Sequence, residues 1–379
     1  MKRVLVTFVE AGMGHIVTAQ AIANAIEKQK GDDVELIVKD LFRESEPLKK
    51  YEDFLISETK KASGSALHSR AQLFSMHLLG AQNTLKIVHS TIYRKAVNRY
   101  VEQLRKIQPD VIIDTHYFTT YCSVCYRNRY NPNCKVITYN PDNNVHGWWH
   151  RKVDYHIVNN ELAYAQALKT FKKEQVKQVY FISRQEIEDV TESKEFYREK
   201  YGIPQDVFAV KIADGAYGRA KLKRFVRELI KTKKPIVIVA IAGKNEAMYD
   251  KLVKWKDALP SNVTLLPFGF VENIYELFKA CDLFITKAGP NAVLDSALMG
   301  TPVVINYWAN SIERTTKDLF VGMLGCGVVI KNKVEGRKFV EKCIDDPSVL
   351  AKYVQNEKKL DKNKNGADEV AAFVLEKLN

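Results

Sequence analysis

Short apolar runs alternate with stretches of helical periodicity along most of this chain. Residues 4–9 form an apolar run, a glycine turn and helical spacing over 16–26 follow, and a second run covers 34–38. Runs of the same kind predict further strands at 111–114, 135–139, 154–160, 208–212, 236–241, 263–266, 282–286 and 328–330. Strands that alternate with helices are typical of parallel sheets, so we predict an α/β protein with Rossmann-like domains.

The chain is long enough for two domains, each with its own core. It has 379 residues, and residues 181–204 are charged and lack strong periodicity. A second series of strand, glycine turn and helix begins at Phe208. We therefore predict a first domain over 1–180, a connection, a second domain over 205–360, and an amphipathic helix within 361–379.

Composition is typical of a soluble globular protein. Hydrophobic residues make up 46% of the chain, charged residues make up 27%, and no apolar run approaches the roughly 20 residues that span a bilayer. The basic, apolar start leads directly into a glycine turn, so we interpret it as a first strand and not as a signal peptide. Six cysteines without a secretion signal predict reduced thiols in the cytoplasm.

The excess of positive charge indicates an anionic partner. The net charge is +13, and residues 59–101 carry seven Lys or Arg and no carboxylate, interleaved with apolar residues at helical spacing. This pattern predicts either a segment at an anionic membrane surface or a solvated basic face over a core helix. We expect no nucleic acid as a partner, because no recognised nucleic-acid module is visible and the stretch carries mainly aliphatic residues.

A C-x-x-C pair raises the question of a metal site. Cys122 and Cys125 form the pair, with Cys134 and His116 nearby. A structural zinc site has four ligands, and here the second ligand pair is missing. The same spacing suits one face of a buried helix, so we predict no metal.

A strand, a tight turn and a helix follow one another between residues 281 and 302. An apolar run covers 282–286, the turn is Ala-Gly-Pro at 288–290, and helical spacing continues over 291–299. The unpaired N–H groups and positive dipole end of such a helix attract anions, and a turn of small residues lets a phosphate approach. An ordinary βα turn has the same pattern, so the motif alone leaves both interpretations open.

Other motifs accompany this one in a fixed order. The chain reads Gly-Lys-Asn-Glu at 243–246, Phe-Gly-Phe-Val-Glu-Asn-Ile at 268–274 and Asp-x-Ala-x-x-Gly-x-Pro at 295–302, followed by Glu313. In this order the motifs resemble the C-terminal half of the monogalactosyl- and glucosyl-diacylglycerol synthases. These are inverting GT-B glycosyltransferases, related to the enzyme that adds N-acetylglucosamine to the peptidoglycan lipid. The resemblance implies two Rossmann-like domains facing each other across a cleft, with a C-terminal helix that crosses back to the first domain.

The resemblance assigns the donor, a UDP-sugar, to the second domain. It implies that Phe270 and Val271 hold the uracil and that Asp295 accepts the ribose hydroxyls. Glu313 is expected to accept hydroxyls of the sugar. Helix N-termini and backbone amides replace a metal at the leaving pyrophosphate in such enzymes, so we expect no metal and no cofactor beyond the UDP-sugar co-substrate. The other donor-binding candidates are loop residues: Gly215, Gly218, Gly243, Lys244, Asn245, Ala288, Gly289, Pro290 and Asn291.

Candidate catalytic residues lie in the first domain. The family has a histidine after a glycine turn, matched by His15, and an aspartate after a strand, matched by Asp142. A helix N-terminus disfavours the imidazolium form, which keeps His15 neutral and able to accept a proton. Asp142 could instead act directly or orient a histidine, so the choice of base stays open between the two. The acceptor-binding candidates are Gly14, Trp148 and His150.

One departure from the family pattern concerns the donor sugar. Where the family has Gly-Gln-Glu, this chain reads Ser-Ile-Glu at 311–313, and Ile312 cannot make the hydrogen bonds of a glutamine. UDP-glucose and UDP-galactose are both candidate donors. The resemblance implies transfer to a lipid such as diacylglycerol, by a peripheral protein on the cytoplasmic face of the membrane. A soluble or polyprenyl-linked acceptor, or a non-catalytic UDP-sugar sensor, are the alternatives.

Overall fold

The chain folds into two units, each built around one parallel β-sheet. The computed structural model describes residues 1–10, 13–64, 74, 80–215, 220–256, 258–308 and 310–378. The first unit comprises Met1–Arg184 together with Lys364–Asn379, and the second comprises Gln185–Asn363. The last segment of the chain therefore belongs to the same unit as the first.

The sheet of the first unit has six parallel strands in the order β2-β1-β3-β4-β5-β6. These are β1 (Lys2–Thr7), β2 (Val34–Lys39), β3 (Val111–Asp114), β4 (Lys135–Tyr139), β5 (Tyr155–Val158) and β6 (Val176–Gln178). Val4 and Val6 of β1 pack into the core on one face of the sheet, and Leu5 packs into the core on the other. Burial on both faces explains why these strands are near-continuous apolar runs.

Helices follow the strands of this unit. They are α1 (Met13–Gln29), α2 (Glu46–Gly64), α3 (Ala81–Ser90), α4 (Arg94–Ile107), α5 (Tyr117–Arg129) and α6 (Glu161–Ala167), with 3-10 turns at Leu41–Glu44 and Lys173–Gln175. The sequence predicted 154–160 as the last strand of this domain, and that prediction was wrong. The sheet continues to β6, which has only three residues, two of them exposed lysine and glutamine.

The second unit has the same architecture. Its parallel strands are β7 (Ala209–Ala213), β8 (Ile236–Ile241), β9 (Val263–Phe268), β10 (Leu283–Lys287), β11 (Val303–Tyr307) and β12 (Gly327–Val329), in the order β12-β11-β10-β7-β8-β9. Its helices are α7 (Lys194–Lys200), α8 (Ala220–Leu229), α9 (Glu246–Lys256), α10 (Ile274–Ala280), α11 (Pro290–Leu298), α12 (Ser311–Lys317), α13 (Lys333–Asp345) and α14 (Ser348–Glu357). A 3-10 turn covers Gln185–Ile187 and a π-helical turn covers Asp318–Met323.

The strand order reverses once in each sheet. In the first unit β1 lies between β2 and β3, and in the second β7 lies between β8 and β10. The loops that leave two such neighbouring strands diverge to opposite faces, which opens a crevice at the carboxyl ends of the strands. Ligand-binding residues are therefore expected after β1 and β3, and after β7 and β10.

Much of the charged stretch at 181–204 is docked onto the second unit. It contains α7, whose Arg198 is buried and donates to the Asp282 carboxylate at 2.6 Å and to the Ala280 carbonyl at 3.0 Å. Arg198 thus joins α7 to the start of β10.

The helix at the end of the chain, α15 (Gly366–Leu378), packs against α1 in the first unit. Its Val370 and Val374 are fully buried in the core that also holds Val4 and Val6. A glycine is needed at its start, because a Cβ on Gly366 would lie 2.0 Å from the Tyr180 carbonyl oxygen.

No helix among the described residues combines the length and the apolar character needed to cross a bilayer. All six cysteines are free thiols. Cys122 is buried within α5, and Cys125 is half-buried one turn later. The described part of the chain holds no group of three or more His, Cys, Asp or Glu side chains arranged for a metal ion.

Candidate active site

His15 lies in the first turn of α1, the helix that follows β1. Its Nδ1 is 2.6 Å from the carbonyl oxygen of Thr115. Because a carbonyl only accepts, Nδ1 carries the proton, and Nε2 of the neutral ring can accept one. The Thr115 hydroxyl in turn donates to the His15 carbonyl at 3.3 Å. The loop after β3 thus fixes both the tautomer and the orientation of His15.

His116 follows β3 and was not predicted as an active-site residue. Its ring lies edge-on to that of His15, with the centroids 4.9 Å apart. Its Nδ1 accepts the backbone N–H of Phe118 at 3.2 Å and caps α5, so Nε2 carries the proton. Burial, assisted by the charges of neighbouring histidines, holds the pKa of His116 well below its ordinary value. His116 is therefore a neutral N–H donor beside His15.

Asp142 lies in the loop that follows β4. The Asn140 side chain donates to the carbonyl oxygens of Asp142 at 3.1 Å and of Asn144 at 2.9 Å, which fixes this loop. Burial raises the pKa of Asp142, and the imidazolium form of the nearby His15 would oppose that shift. The two candidate bases are therefore brought within electrostatic reach of each other.

The three predicted acceptor-binding residues lie in different surroundings. Gly14 is half-buried and precedes His15 in the first turn of α1. Trp148 is buried, with its ring edge-on to Tyr117. Burial lowers the pKa of His150 to about 4, so this side chain is neutral at pH 7. Gly14 adjoins the candidate base, and contact of all three with an acceptor stays a prediction.

Lys287, at the carboxyl end of β10, is the centre of the site in the second unit, and the sequence did not single it out. Its side chain passes two glycines of the predicted pyrophosphate site. A Cβ on Gly215 would lie 3.3 Å from Lys287 Cε, and one on Gly289 would lie 3.7 Å away. Gly215 also has φ of 78°, a conformation that favours glycine. Two loops and one ammonium group converge here, which is an arrangement suited to a phosphate.

Glu313 forms an ion pair with Lys287. The Glu313 Oε1 and Lys287 Nζ atoms are 2.5 Å apart, and the side chains are 6% and 19% exposed. Asn310 caps α12 by accepting the backbone N–H of Glu313 at 2.9 Å, which fixes the start of the carboxylate side chain. Glu313 thus holds the ammonium group in place, and a sugar hydroxyl bound to Glu313 would lie beside that cation.

The N-terminus of α11 is the predicted anion site. Gly289 occupies the N-cap and supplies no side-chain hydrogen bond, and Pro290 takes the first helical position. The N–H of Ala288 donates to a carbonyl at the end of β11 at 2.8 Å. First-turn N–H groups of a helix lack intrahelical acceptors. Pro290 has no N–H, so the backbone N–H of Asn291 is the first helical donor available to a ligand.

Asp295 lies on α11 and is buried against α10. Its Oδ1 accepts the Tyr275 hydroxyl at 2.8 Å. Lys211 of β7 is fully buried nearby, and burial holds the pKa of this amine well below its ordinary value although Asp295 favours the charged form. One carboxylate oxygen of Asp295 is thus engaged within the protein, and its bonds to a ribose stay a prediction.

The loops after β8 and β9 adjoin each other. Gly243 has φ of 61°, and its carbonyl oxygen is 3.9 Å from the position of a Cβ on Gly269. The Lys244 Nζ is 5.5 Å from the ring centroid of Phe270, and Phe270 is 63% exposed. An exposed ring beside a cation at the carboxyl edge of the sheet is suited to stacking on a nucleotide base.

The other donor candidates are less informative. Asn245 accepts the backbone N–H of Met248 at 3.0 Å and so begins α9. Val271 is half-buried beside Phe270. Gly218 lies outside the described residues.

The basic stretch predicted at 59–101 is described mainly from residue 80 onward, and most of 59–79 lies outside the described residues. Ile87 and Ile92 are 47% and 72% exposed, and Arg94 and Lys95 are exposed cations close in sequence. Exposed aliphatic side chains therefore lie beside cations here, and contact of this stretch with a membrane stays a prediction.

Comparison with known proteins finds similarity to the diacylglycerol glycosyltransferases that the sequence motifs resemble. Residues 15–182 match the family model described as monogalactosyldiacylglycerol (MGDG) synthase. The processive diacylglycerol beta-glucosyltransferase of Bacillus licheniformis is 25% identical over 363 residues, which cover 95% of this chain and 91% of that protein. The chloroplastic monogalactosyldiacylglycerol synthase of Spinacia oleracea is 26% identical over 367 residues, which cover 89% of this chain and 65% of that protein. The resemblance inferred from the motifs is thereby confirmed.

Solved structures confirm the fold class. MurG of Acinetobacter baumannii has a TM-score of 0.65 at 11% identity, over 99% of this chain and all of that one. Os79 from O. sativa, solved in complex with UDP, has a TM-score of 0.62 at 13% identity, over 99% of this chain and all of that one. Two parallel six-stranded sheets covered by helices are the GT-B architecture.

Proposed function

We propose that this chain, a relative of the MGDG synthases and of the processive diacylglycerol glucosyltransferases, is an inverting hexosyltransferase that moves a sugar from a UDP-sugar to a lipid hydroxyl. The observation that carries the proposal is the convergence of Lys287 with Gly215 and Gly289 after β7 and β10. This is the part of a doubly wound sheet where phosphates bind, and it holds a positioned cation. Diacylglycerol is the acceptor that the relatives suggest.

The reaction is a single displacement. The acceptor oxygen attacks the anomeric carbon, the bond from that carbon to the phosphate oxygen breaks, and the configuration inverts. Nε2 of His15 takes the proton of the acceptor hydroxyl, and the Asp142 carboxylate stabilises the imidazolium that forms. This assignment makes His15 the base, because its free nitrogen is fixed by the bond to Thr115.

The leaving UDP gains negative charge as the bond breaks. Lys287 and the first-turn N–H groups of α11 stabilise that charge without reorganisation, because both are held in place before the reaction. Glu313 orients the ammonium group and accepts a sugar hydroxyl. UDP-glucose and UDP-galactose are both candidate donors, since Ile312 offers no hydrogen bond that would select between them.

Membrane contact is part of the proposal. The exposed isoleucines and cations of the 59–101 stretch support a peripheral position on the anionic, cytoplasmic face of a membrane. Activity that needs anionic liposomes supports this position, whereas equal activity on a detergent-dispersed or soluble acceptor points to the alternative acceptor class.

The test uses two donors in parallel. Purified protein is mixed with radiolabelled UDP-glucose or UDP-galactose and with anionic liposomes that contain diacylglycerol, and the lipid phase is chromatographed. A labelled glycolipid supports the proposal and identifies the donor. UDP binding without any labelled lipid would favour a sensor or another acceptor.

A further inference from the structure

A basic cavity lies on the surface of the second unit. It has a volume of about 350 Å³ and is lined by Lys223, Arg224, Arg227 and Lys333. Three of these residues belong to α8, and Lys333 begins α13, which packs against α8. Four cations thus converge on one concave space from two helices.

The charge of this cavity is poorly compensated within the protein. Among the described residues, no carboxylate lies within ion-pair distance of Lys223, Arg224 or Arg227. Lys333 is 3.8 Å from Glu228, which is buried and is also paired with Lys231 at 3.0 Å. Like charges held together repel each other, and an anion in the cavity removes that repulsion.

The lining is also partly preorganised. The Arg227 guanidinium lies over the Trp255 ring, 4.9 Å from its centroid, and this contact orients the side chain. Asn332 caps α13 by accepting the N–H of Val334 at 2.8 Å, so the positive end of that helix lies beside Lys333. Arginine forks match phosphate oxygens, and lysines add point charges.

We propose that this cavity binds a phosphate group that carries at least two negative charges. Phosphate is favoured over a carboxylate because two arginine guanidinium groups and two lysine ammonium groups together offer more charged donors than a carboxylate can accept. The chemistry has two sources, a soluble phosphate compound or the headgroup of an anionic phospholipid. Nothing in the proposed glycosyl transfer requires this site, so it gives the second unit an anion-binding function of its own.

The test compares two double variants of the full-length protein. Arg224→Gln/Lys333→Gln removes two cavity cations, and Lys251→Gln/Lys254→Gln removes two exposed cations from α9 as the matched control. Pyrophosphate is titrated calorimetrically in the presence of saturating UDP, which keeps the proposed donor site occupied. In a parallel measurement, sedimentation compares phosphatidylcholine vesicles with and without phosphatidic acid. No sugar donor or lipid acceptor is present, so the result is independent of glycosyl transfer.

Pyrophosphate is expected to bind once per chain, and the cavity variant to bind at least about tenfold more weakly than the wild type and the control. If pyrophosphate does not bind but the cavity variant alone loses affinity for the phosphatidic acid vesicles, the proposal holds with the headgroup as ligand. If the cavity variant and the control behave alike with both probes, the proposal is wrong. Matching near-ultraviolet circular dichroism of the two variants shows that the fold is retained.

Discussion

Replacement of Lys287 by methionine separates the role of this side chain in the site from its role in the fold. The ammonium group is 2.5 Å from Glu313, and the two side chains are 19% and 6% exposed. Breaking a buried pair leaves an uncompensated charge, which costs about 3–5 kcal/mol. Because Lys287 is partly exposed, we expect the lower end, about 3 kcal/mol, in the free energy of unfolding.

The loss in ligand binding follows from the same geometry. A hydrogen bond to a charged group contributes about 1.5–3 kcal/mol, so Lys287→Met is expected to raise the Kd of UDP by about 10–100-fold. Removal of one electrostatic stabiliser of a leaving group typically lowers kcat by about 10²–10³. Calorimetry with UDP and steady-state transfer assays measure the two effects.

The double variant Lys287→Met/Glu313→Gln distinguishes direct contact of Lys287 with the donor from an effect of Lys287 on the fold. It removes the buried carboxylate as well as the cation, so most of the lost stability should return in a urea titration. UDP affinity should stay low, because the phosphate still lacks its cation. A double variant that regains UDP affinity together with stability would show that Lys287 acts only through the fold, and an unchanged Kd in Lys287→Met would refute its contact with the donor.

Three further predictions concern single side chains in the two units. His15→Gln should lower kcat by about 10²–10⁴ and leave the Kd of UDP within about twofold, since general base catalysis contributes a factor of that size; full activity would refute the assignment of the base. Burial and the neighbouring Glu52 charge raise the pKa of Asp40 from 3.8 to about 7, so the folded protein holds a proton that it loses as the pH rises through 7. Stability is therefore lost progressively between about pH 4 and pH 7, and Asp40→Asn should flatten this slope in thermal melts at pH 5 and pH 8. Lys211→Met should raise the free energy of unfolding by about 1–4 kcal/mol, because a fully buried amine without a hydrogen-bond partner is replaced by an apolar side chain of similar length; a lower urea midpoint would contradict this.

The fold could be predicted to the extent that its strands are long and apolar. The predicted bounds of β3, β4 and β8 match those of the structure, since each strand is an apolar run buried on both faces. It missed β6, whose residues Val-Lys-Gln have no apolar pattern, and it missed β11, which follows closely on the glycine and proline that end α11. Pairing with a neighbouring strand, and not local pattern, makes these segments strands.

Candidate site residues could be proposed from the sequence where a polar or small residue coincides with a turn. Glycine turns and helix starts led to His15 and to the loop at 288–291. Lys287 was missed because a lysine at the end of a strand carries no special signal. Only the fold brings its side chain beside Gly215, 72 positions earlier in the chain, and pairs it with Glu313. The tautomer of His116 depends likewise on a backbone N–H that local sequence does not single out.

Transfer of label from UDP-sugar to lipid tests the central claim most directly. Wild-type protein and the His15→Gln variant are each incubated with radiolabelled UDP-glucose or UDP-galactose and with anionic liposomes containing diacylglycerol. The account predicts a labelled glycolipid from one of the two donors with the wild type, and loss of most of that label with the variant while UDP binding persists. Absence of labelled lipid with both donors, under conditions where UDP binds, would contradict it.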